Sequence, residues 1–488
     1  MYYPTRYITG WQAQGVNGLV PTSEVTYVEV DSEATGDATP WPMPYAAAHA
    51  KQLQVPPYPD PLSHSPNPRA WWAAHRPLVL QTGALGPMEN NQVSFSGFRM
   101  LSVKGDVIDK VHSISINRLE ANGYRLSLED AGRPDPPRRH RHSERSRRHH
   151  APDAESKPAA IWLPQLGVSN VTYRDTQDRL HELWKNTADS GASNLTGLAG
   201  APAAASDPSP YFDAADRQPV VIYRDSNGKV YSLFWSTGPV GYNLLTPQGA
   251  ARADGNPVGY FDAAGIHHVI YRSSDRHLHE LWWAGAGAVG YRDLTQEASA
   301  PLAVGDPSPY VDTRRGERVV IYRGTDNQVY SLYWTNGPVD YSKPSESVHA
   351  PTAKGDPAGY YTAHDDVHQV VYRGTDDHLY ELYWVGTGGV NPWNLTAIAG
   401  APRADGDPAV YYSAGTNTKH VIYRSADAHL NEFWWVPGVT GPSHVDLSVF
   451  SLAPPAVGRP AAFTIDGPNS QHAIYRGTDN QIHEISWT

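Results

Sequence analysis

The chain has 488 residues, enough for roughly two to four ordinary domains or for one large repeat domain with a smaller companion. Hydrophobic residues make up 40% and charged residues 18%, which excludes a disordered chain, and a net charge of −11 argues against nucleic acid as the main partner. Cysteine is absent, so there are no disulfides or thiolate metal sites, and no apolar run is long enough for a membrane-spanning helix.

Residues 1–130 carry no repeat. Residues 27–30 and 93–116 are β-rich, with turns expected at Gly97 and Gly105, and residues 40–70 are rich in Pro and polar side chains. A small, mostly β domain with long loops is expected, its role unassigned; it is also the candidate surface for homo-oligomerisation. The start, Met-Tyr-Tyr-Pro-Thr-Arg, lacks the charged-then-apolar pattern of a secretory signal. A soluble protein is expected, cytoplasmic or exported by a non-classical route.

Residues 131–156 include Arg138-Arg139-His140-Arg141-His142-Ser143-Glu144-Arg145-Ser146-Arg147-Arg148-His149-His150. Like charges hold such a run open, so a flexible linker is expected. The other readings are an anion-binding patch, weak metal capture by His, or docking on the chain's own acidic surface.

Residues 157–488 repeat. Tyr-Arg recurs as Tyr173-Arg174, Tyr223-Arg224, Tyr271-Arg272, Tyr322-Arg323, Tyr372-Arg373, Tyr423-Arg424 and Tyr475-Arg476, at intervals of about fifty residues. A Trp follows at a fixed distance in the last six (Trp235, Trp283, Trp334, Trp384, Trp435, Trp487), and Trp184 comes one place early in the first. Each repeat reads as four short strands. The first follows a turn such as Gly305-Asp306-Pro307, the second is a β-branched run ending in Tyr-Arg, the third alternates up to the Trp, and the fourth carries Asn194-Leu195-Thr196 or its equivalent. Period-two alternation repeated seven times predicts an all-β fold, a seven-bladed β-propeller of four-stranded blades. The chain ends after a third strand. The missing fourth strand should come from before the repeats, with Tyr124-Arg125-Leu126-Ser127-Leu128 as candidate.

Two positions on hairpin-paired strands vary together. The third strand has Glu182, Ser232, Glu280, Ser331, Glu381, Glu432 and Glu484, and the second has Asn170, Val220, His268, Val319, Gln369, His420 and His472. Glu occurs only with a polar partner and Ser only with Val. An exposed pair adds only ~0.2–1 kcal/mol, a weak reason to repeat it five times. A carboxylate that accepts from hydroxyls beside a His, Gln or Asn suits a saccharide. An aromatic from the next blade (Tyr211, Tyr310, Tyr411, Phe463 or Trp162) would complete each cleft by stacking on the sugar ring. The plainer reading is a pair that serves local stability.

Phrases such as Tyr322-Arg323-Gly324-Thr325-Asp326-Asn327-Gln328-Val329-Tyr330 and Tyr475-Arg476-Gly477-Thr478-Asp479-Asn480 resemble repeats of the fucose-binding propeller lectins of the Aleuria aurantia and Photorhabdus types. The resemblance covers roughly residues 157–488. It implies multivalent recognition of fucosylated or related glycans between blades, with no cofactor and no metal. In the Aleuria type the site uses an Arg from the second strand, a Glu from the third and an aromatic from the next blade. Here the Glu is kept in five repeats, but His, Gln or Asn stands at the Arg position. A protein-interaction scaffold, or a targeting module for an N-terminal effector, is the alternative. No sialidase box, His-Glu-x-x-His, Gly-x-Ser-x-Gly or phosphate-loop motif occurs, so no enzyme is expected in the repeats.

Overall fold

The computed structural model describes residues 140–488 except 147–148, 237, 440, 466–468 and 488, together with the backbone of six strands between residues 8 and 115. The chain divides into two compact units, Met1–Arg138 and Arg139–Thr488. In the first, Ile8–Ala13 pairs antiparallel with Leu19–Thr26, and Gln92–Leu101 pairs with Val79–Gln81, Leu85–Glu89 and Val107–Ser115. Gly97 lies inside a strand, at a shift of register, rather than in a turn. Residues 27–30, Gly105 and Tyr124–Leu128 are outside the described residues.

The second unit is a seven-bladed β-propeller. Seven four-stranded antiparallel sheets follow one another along the chain, and the first strands of neighbouring blades touch in an unbroken cycle from blade 7 back to blade 1. Blades 1–6 span residues 159–194, 209–244, 258–293, 303–342, 358–394 and 409–446. Blade 7 has Ala456–Ile465, Ser470–Gly477 and Ile482–Trp487, and its outer strand is Arg141–Glu144. The ring is therefore closed by a strand from before the repeats, as expected, but that strand comes from the Arg/His run. Like charges suggested a linker there. The strand needs no apolar residue because backbone pairing holds it, with His483 opposite Glu144 and Glu484 opposite Ser143.

Alternation dictates the core. One side of each blade packs on the blade before and the other on the blade after, and the seven apolar clusters each join two neighbours. Between blades 3 and 4, Ile270 and Leu278 meet Val320, Leu332 and Trp334. The Tyr of every Tyr-Arg pair is buried, and its hydroxyl donates to a loop carbonyl: Pro152, Pro202, Ala251, Pro301, Pro351, Pro402 and Pro454, at 2.8–3.1 Å. This bond explains the invariance of Tyr within the chain, since Phe would leave a carbonyl unmatched.

After the fourth strand, Asn194, Asp293, Asn394 and Asp446 cap short helices by accepting the amide three residues on. The two Asn-x-Thr sequences thus hold helix caps where other blades use Asp. The hydroxyl two residues later (Thr196, Thr246, Thr295, Ser345, Thr396 or Ser448) accepts the first amide of the third strand. In blade 7 Ser146 does this for Ile482 at 2.9 Å. Gly305-Asp306-Pro307, expected as a turn before the first strand of blade 4, lies inside that strand at a shift of register; Gly305 adopts φ +90°, and a Cβ there would clash with Asp356 of the next blade, so the position requires glycine.

Candidate functional site

The five Glu-bearing pairs form, each within one blade. Glu280 accepts from His268 Nδ1 at 2.7 Å, Glu432 from His420 at 2.6 Å and Glu484 from His472 at 2.7 Å. Asn170 donates to Glu182, and Gln369, with its amide turned to suit its neighbours, donates to Glu381 at 3.2 Å. All five carboxylates are buried. Each His has a second partner on Nε2: Asp262 (3.1 Å), Thr418 (2.6 Å) or Ser470 (3.0 Å).

The first-strand aromatics stand elsewhere than across from a preceding Glu. Tyr411 stacks on His420 and Phe463 on His472 of their own blades, at 4.6 and 4.7 Å. Tyr211 and Tyr310 bond forward to His267 (2.9 Å) and His368 (3.1 Å) of the following blade. Trp162 packs in the apolar cluster between blades 7 and 1. The ring that faces Glu182 and Glu381 across the seam is the third-strand Trp of the following blade. Trp235 shares a cleft with Glu182, and Trp435 shares one with Glu381. The signal was present: this Trp lies an odd number of places from its own blade's Glu, so it points to the opposite face, toward the preceding blade.

The seams then differ in what fills them. Between blades 3 and 4, Arg292 donates to Glu280 Oε2 at 2.6 Å and lies 4.9 Å over Trp334, closing the gap. Between blades 6 and 7, His140 stacks on Trp487 at 5.8 Å and packs on Phe450 at 5.6 Å. Between blades 7 and 1, Lys185 stands in the Trp register and reaches Glu484 at 3.5 Å, with Arg145 at 3.2 Å from the same oxygen. Only about 100 Å³ of space is left there. Two Glu seams stay open. The cleft between blades 1 and 2 measures about 410 Å³ and holds Asn170, Glu182, Ser193, Arg217, Trp184 and Trp235. The cleft between blades 5 and 6 measures about 590 Å³ and holds Glu381, Lys419, Asp365, Tyr383, Trp393 and Trp435. Lys419 reaches back across this seam to Asp365 at 3.2 Å and to the Gln369 oxygen at 3.1 Å.

Electrostatics follow the same division. Burial pushes Glu182 up to about 7, opposed by its bond from Asn170. Burial also pushes Glu381 up to about 7, with Lys419 opposing and Asp365 adding. Burial acts on Glu484 too, but His472, Arg145 and Lys185 outweigh it and bring the carboxyl down to about 2. The open seams are thus those whose carboxylate is partnered by an amide, and the filled seams are those partnered by His. In the open cleft between blades 1 and 2, the buried Asn170 Oδ1 has no partner among the described residues. Among these residues no group of His, Asp and Glu is placed to hold a metal ion, and no helix is long and apolar enough to cross a membrane.

No protein-family profile and no curated protein sequence matches the chain. Solved structures do. The lectin BP39L of Burkholderia pseudomallei is 16% identical, with a TM-score of 0.52, over 68% of this chain and 96% of that one. The lectin of Aleuria aurantia, described as a six-bladed β-propeller with a novel mode of fucose recognition, is 16% identical over 59% of this chain and 94% of its own, with a TM-score of 0.43. At these identities the likeness is one of fold, and the fold of the described residues from His140 to Trp487 is the seven-bladed β-propeller.

Proposed function

We propose that the propeller is a lectin that binds neutral saccharides, fucosylated glycans among them, in the two open seams between blades 1 and 2 and between blades 5 and 6. The observation that carries this reading is the pair of open clefts in which a buried, amide-partnered carboxylate lies beside a Trp contributed by the following blade. Aromatic rings take the C–H face of a pyranose, while the carboxylate accepts from its hydroxyls. Each cleft sets a cation among its carboxylates, Arg217 with Glu182 and Lys419 with Asp365 and Glu381, which favours an uncharged ligand. Two sites on one rigid ring raise the avidity for a glycan-coated surface well above that of either site. Fucosylated glycans head the panel because the repeat phrases resemble those of fucose-binding propellers. Residues 1–130 would then be a separate domain, the effector that the propeller targets.

The test is calorimetry of the full chain with a panel of fucosylated and unsubstituted oligosaccharides. Two sites are expected, one lost in Glu182→Gln and the other in Glu381→Gln. Absence of binding to every saccharide, or binding untouched by both changes, overturns the proposal. The filling of three Glu seams by the chain's own side chains favours a second reading, a protein-interaction scaffold. Under that reading a glycan array stays blank while a protein partner binds.

A further inference from the structure

The seam between blades 4 and 5 has neither member of the polar pair, because blade 4 carries Val319 and Ser331. It is open all the same, as a cleft of about 280 Å³. The following blade still supplies its ring: Trp384 is half-buried and stacks on His368 at 5.0 Å and 4°. Tyr333 is a second ring in the lining, and Ser331 and Ser342 offer hydroxyls.

A carboxylate is also present, from a different place. Glu317 lies two residues before Val319 on the second strand, on the same face by the period of the strand, and lines the cleft. Among the described residues no hydrogen bond or ion pair reaches its side chain. Asp312, its register partner, is occupied by Arg315 at 2.7 Å. The other open seams hold Arg217 or Lys419 among their carboxylates, whereas no Lys or Arg lines this one. His368 is held by Tyr310 at 3.1 Å and lies 3.4 Å from Asp312. Burial raises the Glu317 carboxyl above its usual range, Asp312 adds to this and Arg315 opposes it. An arriving cation would relieve that cost.

We infer that the seam between blades 4 and 5 binds an amino sugar, with the ammonium on Glu317 and the ring against Trp384. The inference rests on the reading that open seams take saccharides, and it assigns this one to a different chemical class. A sugar ammonium here gains a charge-assisted bond to Glu317 in a cleft lined by the rings of Trp384 and Tyr333.

The experiment is calorimetry of the full chain with glucosamine and N-acetylglucosamine at mildly acidic pH, where the amine is charged. Acetylation removes the cation and keeps the ring. Glucosamine is expected to bind about tenfold more tightly than its acetylated form. Glu317→Gln should abolish the difference while leaving intact both the thermal transition and the neutral-saccharide binding that depends on Glu381. No glucosamine binding to the native protein, or equal binding by Glu317→Gln, overturns the inference. Neutral-saccharide binding by the same protein at pH 8, where Glu182 and Glu381 are ionised, then tells whether this seam alone fails or the lectin reading fails with it.

Discussion

Arg145 Nε lies 3.2 Å from Glu484 Oε2, and Arg145 is buried at the chain position where other blades have a buried leucine. Leu195, Leu294, Leu395 and Leu447 each follow the helix-capping residue and precede the Thr or Ser that receives the third strand. Glu144-Arg145-Ser146 has the same order in the closing strand, so an arginine is buried where the repeat expects an apolar side chain. Ser169 accepts from it at 2.6 Å, and burial lowers its pKa while Glu484 raises it.

Removing Arg145 leaves the buried Glu484 Oε2 with only the longer contact to Lys185 at 3.5 Å, while His472 holds the other oxygen. Arg145→Leu should therefore cost about 3 kcal/mol, although it restores the residue of the other blades. Arg145→Leu combined with Glu484→Gln should recover most of that loss, because both charges go. Urea unfolding of the single and double variants checks this. A single change that costs under about 1 kcal/mol would show the guanidinium to be solvated in practice.

The seven Tyr hydroxyls provide a repeated measurement of one bond. Tyr322→Phe and Tyr372→Phe each strand a loop carbonyl, Pro301 and Pro351, and each should cost about 1–2 kcal/mol. The sites lie in different blades, so the double variant should be additive within about 0.5 kcal/mol. Strong non-additivity in chemical denaturation would mean that the blades do not unfold as one cooperative ring.

Glu182 and Glu381 make stability and binding respond to pH in opposite senses. Their folded carboxyls titrate near 7, above the unfolded value of 4.5. The stability this gives is complete below the unfolded value and is lost as pH rises through about 7. Saccharide binding needs the ionised acceptor, so affinity should rise over the same interval. Glu381→Gln should flatten part of the stability profile and remove one site at every pH. Melting temperature and calorimetric affinity between pH 5 and 8 read both effects. A parallel rise of the two with pH would contradict the assignment.

Much of the ring was legible because its causes are local and repeated. Period-two alternation and the Tyr-Arg pair each act within one repeat, whereas Asn194-Leu195-Thr196 reads as strand and in fact ends the strand at Asn194 and starts a short helix at Leu195. The pairing of Glu with His, Asn or Gln was also legible, since register on a hairpin is fixed by short turns. What lies between blades was hidden. Arg292, Lys185 and His140 fill seams from positions that do not repeat, and no spacing in the chain announces them. The closing strand was hidden for another reason. Arg141–Glu144 has no apolar residue, and the charge of its run masks the Glu-Arg-Ser order that matches Asp446-Leu447-Ser448.

Arg292 offers the most direct check on why seams are open or closed. Its guanidinium takes Glu280 Oε2 at 2.6 Å and covers both Trp282, at 5.6 Å, and Trp334, at 4.9 Å. Arg292→Ala removes that cover and leaves Glu280 with His268, in a blade that keeps its Tyr bond and its cap. The cost in stability should be about 1–3 kcal/mol, since His268 still matches one carboxylate oxygen. The binding stoichiometry for a neutral saccharide should rise by one, and Glu280→Gln on this background should remove the added site. Calorimetric stoichiometry decides it. If Arg292→Ala folds and binds no additional saccharide, the amide partner, and not the open space, is what qualifies a seam.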